Sequence, residues 1–345
     1  MTMKVLIRVD AGSEAGYGHF MRSLALAQAL RRHGHDAVMI SRTLPVPLRD
    51  DLRRLEFLLR ELPLGLTPQD DAAVTQQEGL RDGCRWIVTD GTRFDPGYRR
   101  LLMEGSGRLL SIDDLACGPD SADIVLNQNH GVGHGESLSL GGSAVFLAGC
   151  DYVLLRESFL KRRAMHLRER TSVRNILVTM GAADLGGETV KTLEALAGLS
   201  QYEWCVRVVV GDVNPHGQEI RRRVDQLGGR FECVGSSTDL APLMEWADLA
   251  IGAAGSTCWE MAFVGLPMFV VTTAENQRYI GRALHNAGCA YSLGRHEEVT
   301  ASGIAESLLQ VVLNPGRLGV MSRQAAALVD GRGADRVVAV MERVT

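Results

Sequence analysis

The chain has 345 residues, 46% hydrophobic and 23% charged, which suits a globular protein too long for one ordinary core, so two domains are expected. A net charge of −4 leaves no electrostatic footprint for nucleic acid. Seven scattered cysteines without a C-x-x-C pair argue against a zinc site or disulfide framework, and the absence of a signal peptide or membrane-length apolar run points to a cytoplasmic protein without a membrane partner.

In chain order, the apolar run Val5-Leu6-Ile7 reads as a buried strand. Asp10 ends it, a turn with Gly12, Gly16 and Gly18 follows, and an apolar-periodic helix runs from about Gly18 to His33. Such a strand, turn and helix start form an anion site, because free backbone N–H groups and the helix dipole face one spot. The glycine spacing is G-x-x-x-G-x-G, neither the dinucleotide fingerprint nor a P-loop. His19 stands at the mouth, where a phosphate cradle needs no imidazole. One reading makes it a cap or a packing residue. The other makes it chemical, favoured by neighbouring Asp10, Gly18 and Arg22.

Residues 37–40, 86–88, 109–112 and 124–126 read as strands buried on both faces of a parallel sheet. Between them, residues 48–62 read as a helix with Leu52, Leu55, Leu58 and Leu59 on one face. His33 and His35 read as helix-end residues. The pair His130 and His134 lacks a helix and a third ligand, so no metal is expected there. The basic stretch 161–173 reads as a linker.

A second series of strands follows at 176–178, 206–210, 231–234, 249–251 and 268–271, each leading into a helix. Two such series make an α/β protein of two doubly wound, Rossmann-like domains, expected at 1–160 and 174–330, with a helix over 331–345. Ligands of such sheets lie at the carboxyl ends of the strands. A second glycine turn, Gly252 to Gly255, leads into Ser256, Thr257 and Glu260, again offering amides and two hydroxyls to a phosphate. Thr257 and Glu260 also fit a capping box, so Glu260 is either a helix-start device or an acceptor for sugar hydroxyls. Asn276 and Gln277, at the next helix start, either bind ligand or cap. Trp246 and Trp259 read as core, His216 as a helix start, and the arginines at 53–54 and 221–223 as solvated helix faces.

Several motifs occur in order along nearly the whole chain: Gly-x-Gly-His-x-x-Arg at 16–22, Asp-Asp-Leu at 113–115, Leu-Asn-Gln-Asn at 126–129, and Leu-Leu-Arg-Glu-Ser-Phe at 154–159. Gly-Ser-Thr-x-Trp-Glu at 255–260, Gly-Leu-Pro at 265–267, Glu-Asn-Gln at 275–277 and Gly-Arg-Gly-Ala at 331–334 complete the series. Together they resemble the UDP-2,4-diacetamido-2,4,6-trideoxy-β-L-altrose hydrolases of pseudaminic acid biosynthesis, relatives of spore-coat polysaccharide proteins and of the peptidoglycan N-acetylglucosaminyltransferase.

The resemblance implies a glycosyltransferase-B type fold, two Rossmann-like domains facing across a cleft. It makes His19 the general base, Glu260 the ribose acceptor, and Gly255, Ser256 and Thr257 the diphosphate cradle. Asn276 and Gln277 would contact the substrate region, and Asp10, Gly16, Gly18, Arg22 and Gly181 fall in matching motifs expected to bind it. Two departures touch the sugar side. Asp90-Gly91-Thr92 replaces Asp-His-Tyr, and Gly181-Ala182-Ala183-Asp184 replaces Gly-Gly-Ser/Thr-Asp.

The implied reaction is hydrolysis of a UDP-sugar at the anomeric carbon, inverting, with C–O cleavage and without metal or other cofactor. Helix N-termini and hydroxyls would meet the leaving charge, and the helix dipole would keep His19 neutral. The alternatives are glycosyl transfer to an acceptor on the same fold, or a non-catalytic nucleotide-sugar binding protein.

Overall fold

The computed structural model describes residues 2–12, 16–105, 107–115, 121–129, 131, 135–138, 144–163, 168–235 and 239–344. The chain divides into two compact units, Met1–Glu157 with Gly331–Thr345, and Ser158–Asp330.

The first unit contains strands β1 (Lys4–Val9), β2 (Asp36–Ser41), β3 (Leu58–Glu61), β4 (Trp86–Asp90), β5 (Arg108–Ile112), β6 (Ile124–Asn127), β7 (Gly135–Leu138) and β8 (Val145–Ala148). They form one sheet in the order β3-β2-β1-β4-β5-β6-β8-β7, parallel except for β7 against β8. Helices α1 (Gly18–Arg32), α2 (Val46–Arg54), α3 (Pro68–Arg81) and α4 (Pro96–Met103) connect the strands. Alternation along β1 explains the layering: Val5, Ile7 and Val9 enter the larger core with α1, while Leu6 enters a smaller one on the other side. Arg8 shares the Leu6 side and is wholly buried, a cost met by ion pairs to Asp10 and Asp71.

The helix expected over 48–62 stops at Arg54. Glu56 adopts φ of 57°, the Phe57 amide donates back to the Leu52 carbonyl, and Leu58 onward becomes β3, paired with β2. The leucine spacing fits a helix, but the unpaired edge of β2 offers the backbone a ladder instead.

In the second unit, β9 (Asn175–Thr179), β10 (Cys205–Val210), β11 (Phe231–Gly235), β12 (Leu249–Ala253), β13 (Met268–Thr272) and β14 (Ala290–Arg295) form an all-parallel sheet, order β11-β10-β9-β12-β13-β14. The helices are α5 (Glu157–Arg163), which starts before the expected linker and ends inside it, α6 (Glu188–Ala197), α7 (Gly217–Leu227), α8 (Ala241–Trp246), α9 (Thr257–Phe263), α10 (Arg278–Asn286), α11 (Ala301–Val312) and α12 (Pro315–Leu328). Trp259 is core as expected, whereas Trp246 is only half-buried, with the Arg207 guanidinium 4.3 Å above its ring.

The last helix, α13 (Gly333–Val344), packs on α1 in the first unit. A Cβ at Gly333 would strike the backbone of Tyr152 and Val153, so this contact requires glycine. His33 and His35 help hold α13, through Asp335 and Glu342.

Both sheets thus place their first and fourth strands side by side, β1 with β4 and β9 with β12. Successive connections leave in opposite directions there, so a crevice opens beyond the carboxyl ends of these strands. This switch point is where the two glycine turns lie.

Candidate functional site

In the first unit, Gly12 and Gly16 pair through both backbone groups, with Gly16 at φ of 67°, and so close the turn after β1. Tyr17 precedes α1 without a side-chain cap. Among the described residues, the amides of Gly18, His19 and Phe20 have no acceptor, as expected for an open helix start.

His19, in the first turn of α1, points at Asp90 at the end of β4: Nδ1 lies 2.8 Å from Oδ1. Arg22, one turn on, donates Nε and Nη2 to the same carboxylate at 2.8 and 2.7 Å, and the Ser23 hydroxyl adds a bond at 3.0 Å. Asp90 is wholly inaccessible. Burial opposes its charge, but Arg22 and His19 together outweigh this and hold the carboxyl below the usual range. An ionised Asp90 accepts, so His19 carries its proton on Nδ1. Nε2 is then left as the basic nitrogen, and no described residue engages it.

The other end of Arg22 donates Nη1 to Asp114 Oδ1 at 2.7 Å, and Asn129 Nδ2 donates to the same oxygen at 3.0 Å. Asp114 is also held below the usual carboxylate range, because Arg22 and His19 override burial. His19, Asp114, Phe94, Pro96 and Ile112 line a pocket of about 130 Å3. Gly91, at φ of 145°, would bring a Cβ to 3.3 Å from the Phe94 ring. Phe94 gives this wall of the pocket an aromatic face.

Two of the expected ligand residues are engaged by protein partners. Asp10 accepts from Arg8, Arg93, the Ser41 hydroxyl and the amides of Arg42 and Thr43. These donors fill its lone pairs and tie the ends of β1 and β2 together. Arg22 bonds Asp90 and Asp114 and lines the same pocket as His19.

In the second unit, Gly181 follows β9 at φ of 83°, and Gly252 at the end of β12 lets the strands approach, a Cβ there falling 2.7 Å from the Thr179 carbonyl. The helix cap is Ser256, without a side-chain bond, and Thr257 is already helical. The expected Thr257–Glu260 capping box is therefore not formed, because the helix starts one residue too early for it. Among the described residues, the amides and hydroxyls of Ser256 and Thr257 have no partner. Glu260 is half-buried one turn on. The Gln277 Oε1 accepts from the Thr273 amide and hydroxyl, and its Nε2 lies 3.6 Å from where a Gly255 Cβ would be, so Gln277 joins this turn. Asn276, half-exposed, sits beside it in a short 3-10 turn. Cys258, behind the turn, is buried and its thiol is pushed up to about 12 by that burial, which makes it inert.

Among the described residues, no group of three or more His, Cys, Asp or Glu side chains is arranged to hold a metal ion. His130 and His134 lie outside the described residues. No described helix is long and apolar enough to cross a membrane. Sequence reasoning missed Asp90 and Asp114 as site residues. Their signal was a carboxylate at or just beyond the carboxyl end of a buried strand, where an unpaired charge is costly.

Residues 175–337 match the Glycosyltransferase family 28 C-terminal domain. The chain is 25% identical over 351 residues to the spore coat polysaccharide biosynthesis protein SpsG of Bacillus subtilis (strain 168), covering 99% of this chain and 98% of that protein. Among solved structures, the UDP-GlcNAc 2-epimerase from Neisseria meningitidis bound to UDP-GlcNAc superposes with a TM-score of 0.69 at 13% identity, covering 99% of this chain and 100% of the other. MurG of Acinetobacter baumannii gives 0.66 at 14% identity, with coverage of 99% and 100%. The fold is thus that of the GT-B glycosyltransferases, two Rossmann-like α/β domains, and the sequence is similar to proteins of polysaccharide biosynthesis.

Proposed function

We propose that this glycosyltransferase-like protein hydrolyses a UDP-activated sugar, releasing UDP and free sugar, in the biosynthesis of a surface polysaccharide or of a pseudaminic acid-like sugar. One observation carries the reading: the His19 imidazole is held on Nδ1 by a buried, ionised Asp90, its Nε2 is engaged by no described residue, and it lines a pocket. This is how a general base is built, since the carboxylate fixes the tautomer and stabilises the imidazolium that forms. Nucleotide binding is assigned to the second unit. Gly255, Ser256 and Thr257 would take the diphosphate on free amides and hydroxyls, Glu260 the ribose hydroxyls, and Asn276 and Gln277 the adjoining sugar.

In the reaction, Nε2 takes a proton from water as the water oxygen bonds to the anomeric carbon from the face opposite the leaving group. The bond from that carbon to the diphosphate oxygen breaks, and its electron pair leaves with UDP. Configuration inverts, and the imidazolium returns its proton to solvent. The match of residues 175–337 to a glycosyltransferase domain favours a second reading, in which a sugar hydroxyl replaces water.

A panel of UDP-sugars, assayed for UDP release with and without acceptor sugars, separates the two. Release without acceptor supports hydrolysis, release only with acceptor supports transfer, and tight binding without release defeats both.

A further inference from the structure

Asp114 stands out among the carboxylates of the first unit. Its side chain is 9% exposed and it lines the same pocket as His19. One oxygen is fully engaged, since Oδ1 accepts from both Arg22 and Asn129, whereas no described residue donates to Oδ2. That oxygen is open to the pocket, where it is placed to accept from a donor that arrives there. The guanidinium that bonds Asp114 through Nη1 also bonds, through Nη2, the Asp90 oxygen that holds His19 Nδ1, so one rigid group ties the two side chains together.

We propose that Asp114 is a second acceptor for the attacking water, taking one O–H on Oδ2 while His19 Nε2 takes the other. This rests on the hydrolytic reading and deepens it. A water molecule has two protons and a sugar hydroxyl only one, so a pair of acceptors selects water. With both protons bound, a lone pair is left facing outward to attack. When the bond to the anomeric carbon forms, one proton passes to Nε2 and the other stays on the product hydroxyl, still donating to Asp114. The carboxylate therefore does not change protonation. It orients the nucleophile and excludes competing alcohols.

Asp114→Asn tests this directly. Arg22 and Asn129 both donate to Oδ1, so they would hold the new carbonyl there, and an NH2 group would replace Oδ2, putting a donor where the water needs an acceptor. With the UDP-sugar that the wild type turns over, kcat is expected to fall about 10²-fold with little change in KM. In added methanol, which has a single O–H, the ratio of methyl glycoside to free sugar is expected to rise several-fold over the wild type. A fall in rate with an unchanged product ratio would mean a structural role and would overturn the proposal.

A crystal structure of the ligand-free protein decides the matter even if no UDP-sugar is turned over. One ordered water within about 3.2 Å of both Nε2 and Oδ2 is expected. Its absence overturns the proposal, whereas its presence without any turnover would refute the hydrolytic reading and leave the two-acceptor geometry standing.

Discussion

The two glycine turns, after β1 and after β12, share a topology and differ in what stands behind them. Each lies at the switch point of a parallel sheet, leads into a helix, and leaves amides without partners among the described residues. Behind the first is a charged relay of His19, Asp90, Arg22 and Asp114. Behind the second are buried Ala254, Cys258 and Trp259. A parallel α/β sheet produces an anion-facing turn wherever connections diverge, so the turn alone says only that something polar binds. Proton chemistry needs a titratable group held in one tautomer by buried partners, and His19 at the first turn is so held by Asp90.

The sharpest way to break this contrast is to remove the base. His19→Asn is expected to lower the rate of UDP release by about 10²–10⁴-fold while leaving the melting temperature nearly unchanged, because the side chain keeps some exposure. Retention of near-full turnover would remove the proton chemistry from the first turn.

Next in size is the buried pairing itself. Arg22→Met strands Asp90 and Asp114 without their counterion and is expected to cost about 3–5 kcal/mol in urea unfolding. The same pairs predict acid sensitivity. Asp90, Asp114, Asp10 and Asp71 are all more acidic in the folded protein than free carboxyls, so their stabilisation is complete above about pH 4 and is lost as pH falls through the folded values. Hydrogen exchange of β1 and β4 should accelerate below about pH 4, faster than global unfolding alone would require. Protection unchanged down to pH 2 would show that these pairs contribute nothing.

The smallest effect is expected at the second turn. Thr257→Val removes one hydroxyl at constant shape and should raise the Kd for UDP by about 3–10-fold, the worth of a single hydrogen bond, with kcat preserved. A collapse in kcat there would mean that the second turn does more than bind.

Much of the architecture was legible because it is written in local periodicity. Strands buried on both faces read as unbroken apolar runs, as at Val5-Leu6-Ile7, and helix starts show as glycine and hydroxyl clusters, as at 255–257. Locality also set the limit. Residues 48–62 carry a helical spacing, yet β3 forms because β2 offers a ladder that no local pattern announces.

By itself, then, the sequence determined two α/β halves, two glycine turns at strand ends, and a histidine at the first of them. Only the tertiary structure decided what that histidine works with. Asp90 is 71 residues from His19 and Asp114 is 92 from Arg22, and the sheet order brings them together by laying β4 beside β1 and β5 beside β4. A buried charge is tolerable only beside its counterion, so the folding that buries Asp90 also supplies Arg22 and His19.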